Sequence, residues 1–453
     1  MILHDFLDFS RPLRLHLLGA GGSGMTPLAR LLLRRGHRVT GADAREGKNV
    51  ELLRSLGMPV ATGAAADALP PGLDGVVFTA ALPAGAPPLA EARRQGLPVV
   101  KYARAVGLLA RQMDTYAVAG THGKTTTTAM LAFVLREAGL APGCLVGGHC
   151  PQLEEGGPAG EGRQLVVEAC EYDRSFLHFH PRAAILTNIE ADHLDYYKDV
   201  VEIRGAFREF AAQVSDLIVM HESLRGEIGR AGGVRARVLT FGTSEEADLR
   251  VLPVPPRSFV LGGREFKLQV PGFHNALNAA AVLLLATELG LPREVAARAL
   301  ERFKGVGRRL EVVGRPRGVP VIDDYAHHPT EVAAGLDALR QTYTPRRLWV
   351  VFQPHQYSRL RRFLPEFAAA LARADRIVIP EIFAARDADS DRSAVSPADL
   401  VAEVKRQGGD AVFIADFGGI VDFVRTQARA GDVVVTMGAG DVGDVAGRLA
   451  QAL

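Results

Sequence analysis

TYAVAGTHGKTTTT, residues 115–128, decides the fold class. Its first residues are the apolar run of a buried strand, a glycine turn follows at Gly120 and Gly123, and the threonines after Lys124 open a helix. A strand that passes through glycines into a helix N-terminus aims backbone N–H groups and the helix dipole at one spot, which is a seat for phosphate. Lys124 offers an ammonium to the β- and γ-phosphates, and Thr125 a hydroxyl to Mg2+. The common G-x-x-x-x-G-K-[ST] spacing calls for glycine at 118, where this chain has Val118, so the loop is a shortened variant.

On both sides of this loop, short Val/Ile/Leu runs alternate with longer amphipathic stretches, the pattern of parallel strands joined by crossover helices. The expected class is α/β in three domains: an N-terminal Rossmann-like domain over residues 1–108, a central P-loop domain over 109–313 and a C-terminal Rossmann-like domain over 314–453. Strands are expected at 13–18, 38–41, 75–79 and 99–101, then at 115–119, 165–168 and 183–187, then at 320–323, 348–352, 376–379 and 432–436. Between Val234 and Val270 the short, Pro- and Gly-punctuated runs predict a small antiparallel excursion.

Composition narrows the function. Among 453 residues, 47% hydrophobic, Lys+Arg 53 against Asp+Glu 51 leaves a formal charge of +2, which gives no global field for nucleic acid or an anionic membrane. Small molecules are the expected partners. Three cysteines are too few for a disulfide scaffold and point to a reducing, cytoplasmic setting. The N-terminal stretch 1–18 carries Asp5, Asp8, Arg11 and Arg14, so it lacks a signal-peptide h-region, and no apolar run is long enough to insert into a membrane.

Further polar clusters lie where strands end. Gly19-Ala20-Gly21-Gly22-Ser23-Gly24 fits G-x-G-x-x-G, with Asp43 nineteen residues beyond, which suits NAD or another diphosphate-bearing ligand. Glu168 to Asp173 and Thr187 to His193 close two buried strands of the central domain, where a carboxylate and an imidazole complete a Mg2+ shell begun by Thr125. His274, Asn275 and Asn278 stand at a helix start. Arg309, the run Asp323 to Pro329, and Phe352 to Arg359 lie at or beyond the last domain boundary. A zinc site from His327 and His328 is disfavoured, because adjacent residues leaving a strand point different ways.

The motif order resembles the Mur ligases of bacterial peptidoglycan synthesis, through Gly-Ala-Gly-Gly-Ser-Gly-Met at 19–25, Gly-Thr-His-Gly-Lys-Thr-Thr-Thr-Thr at 120–128, Thr-Asn-Ile-Glu-Ala-Asp-His at 187–193 and Asp-Asp-Tyr-Ala-His-His-Pro at 323–329. Phe-Gln-Pro-His at 352–355 resembles the branch that joins L-alanine to UDP-N-acetylmuramate through an acyl phosphate. The resemblance implies that Gly22, Ser23 and Gly24, with Thr187, Asn188 and Glu190, meet the UDP-sugar. It implies that Gly120, Thr121, His122, Gly123, Lys124, Thr125 and Thr126 hold the ATP phosphates, His274, Asn275 and Asn278 the adenine, and Thr125, Glu171 and His193 the Mg2+. Arg309 and Asp324 then reach ATP on closure of the third domain, and Tyr325, His327, His355 and Arg359 surround the acyl end and the amino acid.

Lys124, Glu171, His193, His327 and Arg359 form the implied catalytic set, with His327 or His355 as the base by residue type. Gln356, Cys170 and Tyr172 depart from the family pattern, and Arg208 stands where several members carry a carbamylated lysine. Three other readings are a recycling ligase that adds the L-alanyl-γ-D-glutamyl-diaminopimelate tripeptide, an inactive nucleotide-binding partner protein, and an NAD-dependent oxidoreductase resting on the first glycine loop alone.

Overall fold

The computed structural model describes residues 7–154, 160–228, 233–254, 258–385, 387 and 389–453. The first residues of the N-terminal stretch, Asp5 included, and residues 255–257 of the expected excursion lie outside them.

The first sheet is parallel, in order β3-β2-β1-β4-β5, with β1 Arg14–Leu18, β2 Arg38–Asp43, β3 Val60–Thr62, β4 Gly75–Phe78 and β5 Val99–Lys101. The second begins at the decisive stretch: β6 Asp114–Ala119, β7 Gly143–Leu145, β8 Gln164–Glu168, β9 Ala183–Leu186, β10 Leu217–His221, β11 Arg237–Gly242, β12 Leu249–Val254, β13 Ser258–Leu261 and β14 Arg264–Phe266. Its order is β14-β13-β12-β11-β10-β9-β6-β8-β7. The antiparallel excursion is therefore no separate sheet. β11 pairs parallel with β10, β12 joins β11 in parallel at Leu249 and Arg250, and only β12-β13-β14 are antiparallel.

The third sheet comprises β15 Glu311–Gly314, β16 Val321–Asp324, β17 Leu348–Phe352, β18 Arg376–Ile379, β19 Ala411–Phe413 and β20 Val433–Met437, in order β15-β16-β20-β17-β18-β19, with β15 alone antiparallel.

The chain divides into two compact units, one of Met1–Arg250 with Asn278–Leu300, the other of Val251–Leu277 with Glu301–Leu453. In the first, one continuous core joins both glycine-loop sheets, from Leu15, Leu17 and Leu28 to Ala117, Leu165 and Phe210. In the second, the third sheet is covered on both faces, by Leu336, Phe352 and Phe367 on one side and by Trp349, Val434 and Leu449 on the other. Burial on both faces is why these strands read as unbroken apolar runs. Among the described residues, no helix is long and apolar enough to cross a membrane.

Candidate active site

The phosphate loop leaves the carboxyl end of β6. Gly120 has φ 141° and Gly123 φ 81°. A Cβ at Gly120 would stand 2.0 Å from Thr187 Oγ1, and one at Gly123 would stand 2.8 Å from Asn278 Oδ1, so neither position admits a side chain. Helix Lys124–Glu137 starts directly after Gly123 with no side-chain cap on its first amides, which leaves those donors directed at a ligand.

The segment after β9 braces this loop. Asn188 Oδ1 accepts from His122 N at 2.9 Å, its carbonyl accepts from Thr121 N at 3.0 Å, and Thr187 Oγ1 donates to the His122 carbonyl at 2.6 Å. Glu190 N donates to Thr121 Oγ1 at 2.9 Å. Thr187, Asn188 and Glu190, expected at the UDP-sugar, brace the phosphate loop in this structure.

Lys124 folds back over its own loop, donating to the carbonyls of Gly120 and Thr121 and lying 2.9 Å from Glu171 Oε2. Burial works against its charge, but the Glu171 carboxylate outweighs it and the ammonium's pKa is raised. His193, in the left-handed region at φ 53°, brings Nε2 to 3.6 Å from Glu171 Oε1. Glu171 and His193 are thus together, as expected. The carboxylate that meets Thr125 is a different one: Thr125 Oγ1 donates to Glu168 Oε1 at 2.8 Å, and Gly147 N donates to Glu168 Oε2 at 2.8 Å. The available signal was position, since Glu168 ends β8 in register with Val118 of β6, on the strand end beside the phosphate loop.

These residues suit a hard divalent cation. Glu171 is buried with its Oε2 facing only the Lys124 ammonium and its Oε1 near the His193 imidazole, while Thr125 and Glu168 supply a hydroxyl and a second carboxylate. Cys170 lies close enough to Glu171 and His193 to share a metal with them, and burial pushes its thiol up to about 12.

At the first glycine loop, Gly22 and Ser23 are exposed at the carboxyl edge of the first sheet. Asp43 Oδ2 accepts from Gly21 N at 2.9 Å and Asn49 Nδ2 donates to the Gly21 carbonyl at 2.8 Å, so the acid of the dinucleotide-type motif holds the turn itself. Helix Phe273–Glu288 carries the three adenine candidates. Asn278 belongs to the first unit and lies against Gly123; His274 and Asn275 belong to the second. Burial brings His274 down to about 4, which makes it a neutral imidazole, and Asn275 Nδ2 donates to the Pro271 carbonyl at 2.7 Å.

The second unit gathers the remaining candidates at the ends of β16 and β17. Arg309 lies over the Tyr325 ring at 5.1 Å, Tyr325 and His327 rings are 5.4 Å apart, and His327 and His355 rings 5.9 Å. Arg359 NH1 stands 3.3 Å from His355 Nδ1. Burial raises Asp324 to about 7, with Arg309 opposing. Two residues outside the expected set belong here: Glu331, which accepts from His327 N at 3.0 Å, and Phe383, whose ring stacks on His355 at 5.5 Å. Gln356 is buried with φ 71° and its N–H on the Phe383 carbonyl, a strained backbone of the kind held at functional loops.

Three family models match in the same order: "Mur ligase family, catalytic domain" at residues 14–113, "Mur ligase middle domain" at 118–286 and "Mur ligase, glutamate ligase domain" at 308–440. The chain belongs to the Mur ligase family. Among curated Mur ligases it is similar to the UDP-N-acetylmuramate--L-alanine ligase of Thermobifida fusca, 42% identical with 97% of this chain and 96% of that one covered. The ligase of the same name from Agathobacter rectalis is 37% identical over 97% of this chain and 98% of its own. Among solved structures, the UDP-N-acetylmuramate-alanine ligase of Thermotoga maritima superposes with TM-score 0.80 at 30% identity, covering 97% of this chain and 98% of that one. A murein peptide ligase from Psychrobacter arcticus superposes at 0.70 with 26% identity and the same coverage.

Proposed function

We propose that this Mur ligase uses ATP to join L-alanine to the lactyl carboxylate of UDP-N-acetylmuramate, as a cytoplasmic step of peptidoglycan precursor synthesis. The observation that carries the reading is similarity over nearly the whole chain, at 37–42% identity, to ligases named for that reaction. The division of labour we assign is residues 1–108 for the UDP-sugar, with Gly22, Ser23 and Gly24 at its diphosphate, 109–313 for ATP, and 314–453 for the amino acid.

A carboxylate is a poor electrophile, so one of its oxygens first attacks the γ-phosphorus of ATP and ADP departs, leaving an acyl phosphate. The loop amides and Lys124 hold the phosphates and offset the charge that builds on the transferring group. Thr125, Glu168, Glu171 and His193 are the residues that would hold Mg2+, which when bound neutralises phosphate charge. The uncharged amine of L-alanine then attacks the acyl carbon, phosphate leaves, and a base takes the amine's surplus proton. His327 and His355 are the imidazoles in the cluster for that task. Arg309 and Asp324 are assigned to the nucleotide, and Tyr325, His355 and Arg359 to the acyl end and the amino acid.

The test is ATP-dependent phosphate release with UDP-N-acetylmuramate and Mg2+, comparing no acceptor, L-alanine and the L-alanyl-γ-D-glutamyl-diaminopimelate tripeptide, with products identified by mass. Product with L-alanine alone is expected. Product with the tripeptide alone moves the chain to the recycling branch, and none with either leaves a nucleotide-binding partner.

A further inference from the structure

In the second unit, the segment after β18 is laced to the one after β17. Phe383 N donates to the Pro354 carbonyl at 2.9 Å, and Gln356 N donates back to the Phe383 carbonyl at 3.0 Å. Four residues on, Asp387 Oδ1 accepts two hydrogen bonds from Ser358, from its N–H at 3.1 Å and its hydroxyl at 2.9 Å. Ser358 directly precedes Arg359, so this carboxylate is pinned to the turn that carries the candidate amino-acid residues. Its other oxygen, Oδ2, is shut off from water and accepts no hydrogen bond.

An anionic oxygen without a donor is costly, and the partner whose chemistry answers it is a cationic N–H group. Both segments leave the carboxyl ends of adjacent parallel strands, the edge on which such sheets bind ligands. An amino acid brings one anion and one cation. Arg359 answers the anion. Of the cluster's other carboxylates, Glu331 already accepts the amides of His327 and His328 and lies beside the His327 ring, and Asp324 accepts the amide of Ala326. Asp387 Oδ2 carries no such partner.

We propose that Asp387 binds the α-ammonium group of the incoming amino acid, with Ser358 holding the carboxylate through Oδ1 and leaving Oδ2 for the ammonium. The inference rests on the ligase reading above. Asp387→Asn is the test, because its amide oxygen still serves Ser358 while an NH2 group replaces the anionic oxygen. The KM for L-alanine is expected to rise roughly tenfold to a hundredfold, with those for ATP and UDP-N-acetylmuramate unchanged. Asp387→Glu should recover part of the loss.

Hydroxylamine, uncharged near neutral pH, serves as a second acceptor. It attacks the acyl phosphate to give a hydroxamate and release phosphate, and the variant's deficit with it should be roughly tenfold smaller than with L-alanine. An unchanged KM for L-alanine, an equal deficit with both acceptors, or a raised KM for ATP overturns the proposal while leaving the ligase reading intact. Absence of amide and hydroxamate from the unsubstituted chain overturns both.

Discussion

Two carboxylates three residues apart, Glu168 and Glu171, divide the work at the phosphate loop. Glu168 accepts from the Thr125 hydroxyl, and Glu171 from the Lys124 ammonium. A cation beside Thr125 meets Glu168 first, so loss of that charge should act on metal affinity, and loss of the Glu171 charge on how Lys124 is held. Glu168→Gln keeps an acceptor for Thr125 and is expected to raise the Mg2+ concentration for half-maximal phosphate release about tenfold or more, by analogy with the cost of losing an ion's charged ligand. Glu171→Gln should lower kcat with a smaller change in Mg2+ requirement. A Mg2+ titration of the two variants decides it, and equal shifts would sink the assignment. Glu171 and His193 were legible as strand-end residues; the pairing of Thr125 with Glu168 was not, because it depends on how β8 lies in register with β6. Asp387 was equally illegible, since only the lacing of two distant loops brings it to Ser358.

At the scale of elements, strands buried on both faces were legible in β17 and β18, which match the expected 348–352 and 376–379, but β10, buried from Leu217 to Met220, was not read. Strands were less legible at the second sheet's end, where β11 runs from an exposed Arg237 to a buried Gly242, β12 alternates buried and exposed residues only over Leu249–Leu252, and the Pro and Gly punctuation disguises a parallel continuation of the sheet. The third sheet is tied at its opening edge by one acid that a pattern of apolar runs cannot reveal. Asp432, fully buried just before β20, accepts from Arg347 NH2 at 2.7 Å, from Trp349 Nε1 at 3.2 Å and from Arg429 N at 3.0 Å. Removing it takes the counter-charge from the Arg347 guanidinium, which keeps only the Gln427 carbonyl, and leaves the Trp349 indole N–H unpaired at the start of β17. Asp432→Ala should therefore cost about 3–5 kcal/mol of the second unit's stability. Denaturant unfolding followed by fluorescence of Trp349, the chain's single tryptophan, measures this, and a loss under about 1 kcal/mol would contradict it.

For the whole molecule, two compact units with separate cores imply separate responses, and Trp349 reports on the second alone. That unit carries a buried acid, Asp324, whose pKa of about 7 is set by burial against the opposing Arg309 charge. An unfolded aspartate releases its proton near pH 4. Between about pH 4 and pH 7 the folded unit therefore holds a proton that the unfolded chain has lost, and each rise in pH favours unfolding. The contribution is complete below about pH 4 and gone above about pH 7, a difference on the order of 4 kcal/mol. The Trp349 unfolding free energy should thus fall across this window in the unsubstituted chain and lose that slope in Asp324→Asn. ATP with Mg2+ at a hundredfold excess over its Kd should add about 2.7 kcal/mol to the unit that binds it. Far-UV circular dichroism should show that gain in the first unit's transition, and Lys124→Ala should abolish it. A single shared transition by both signals, unmoved by pH between 4 and 7, would show instead that the chain unfolds as one body with Asp324 ionised throughout.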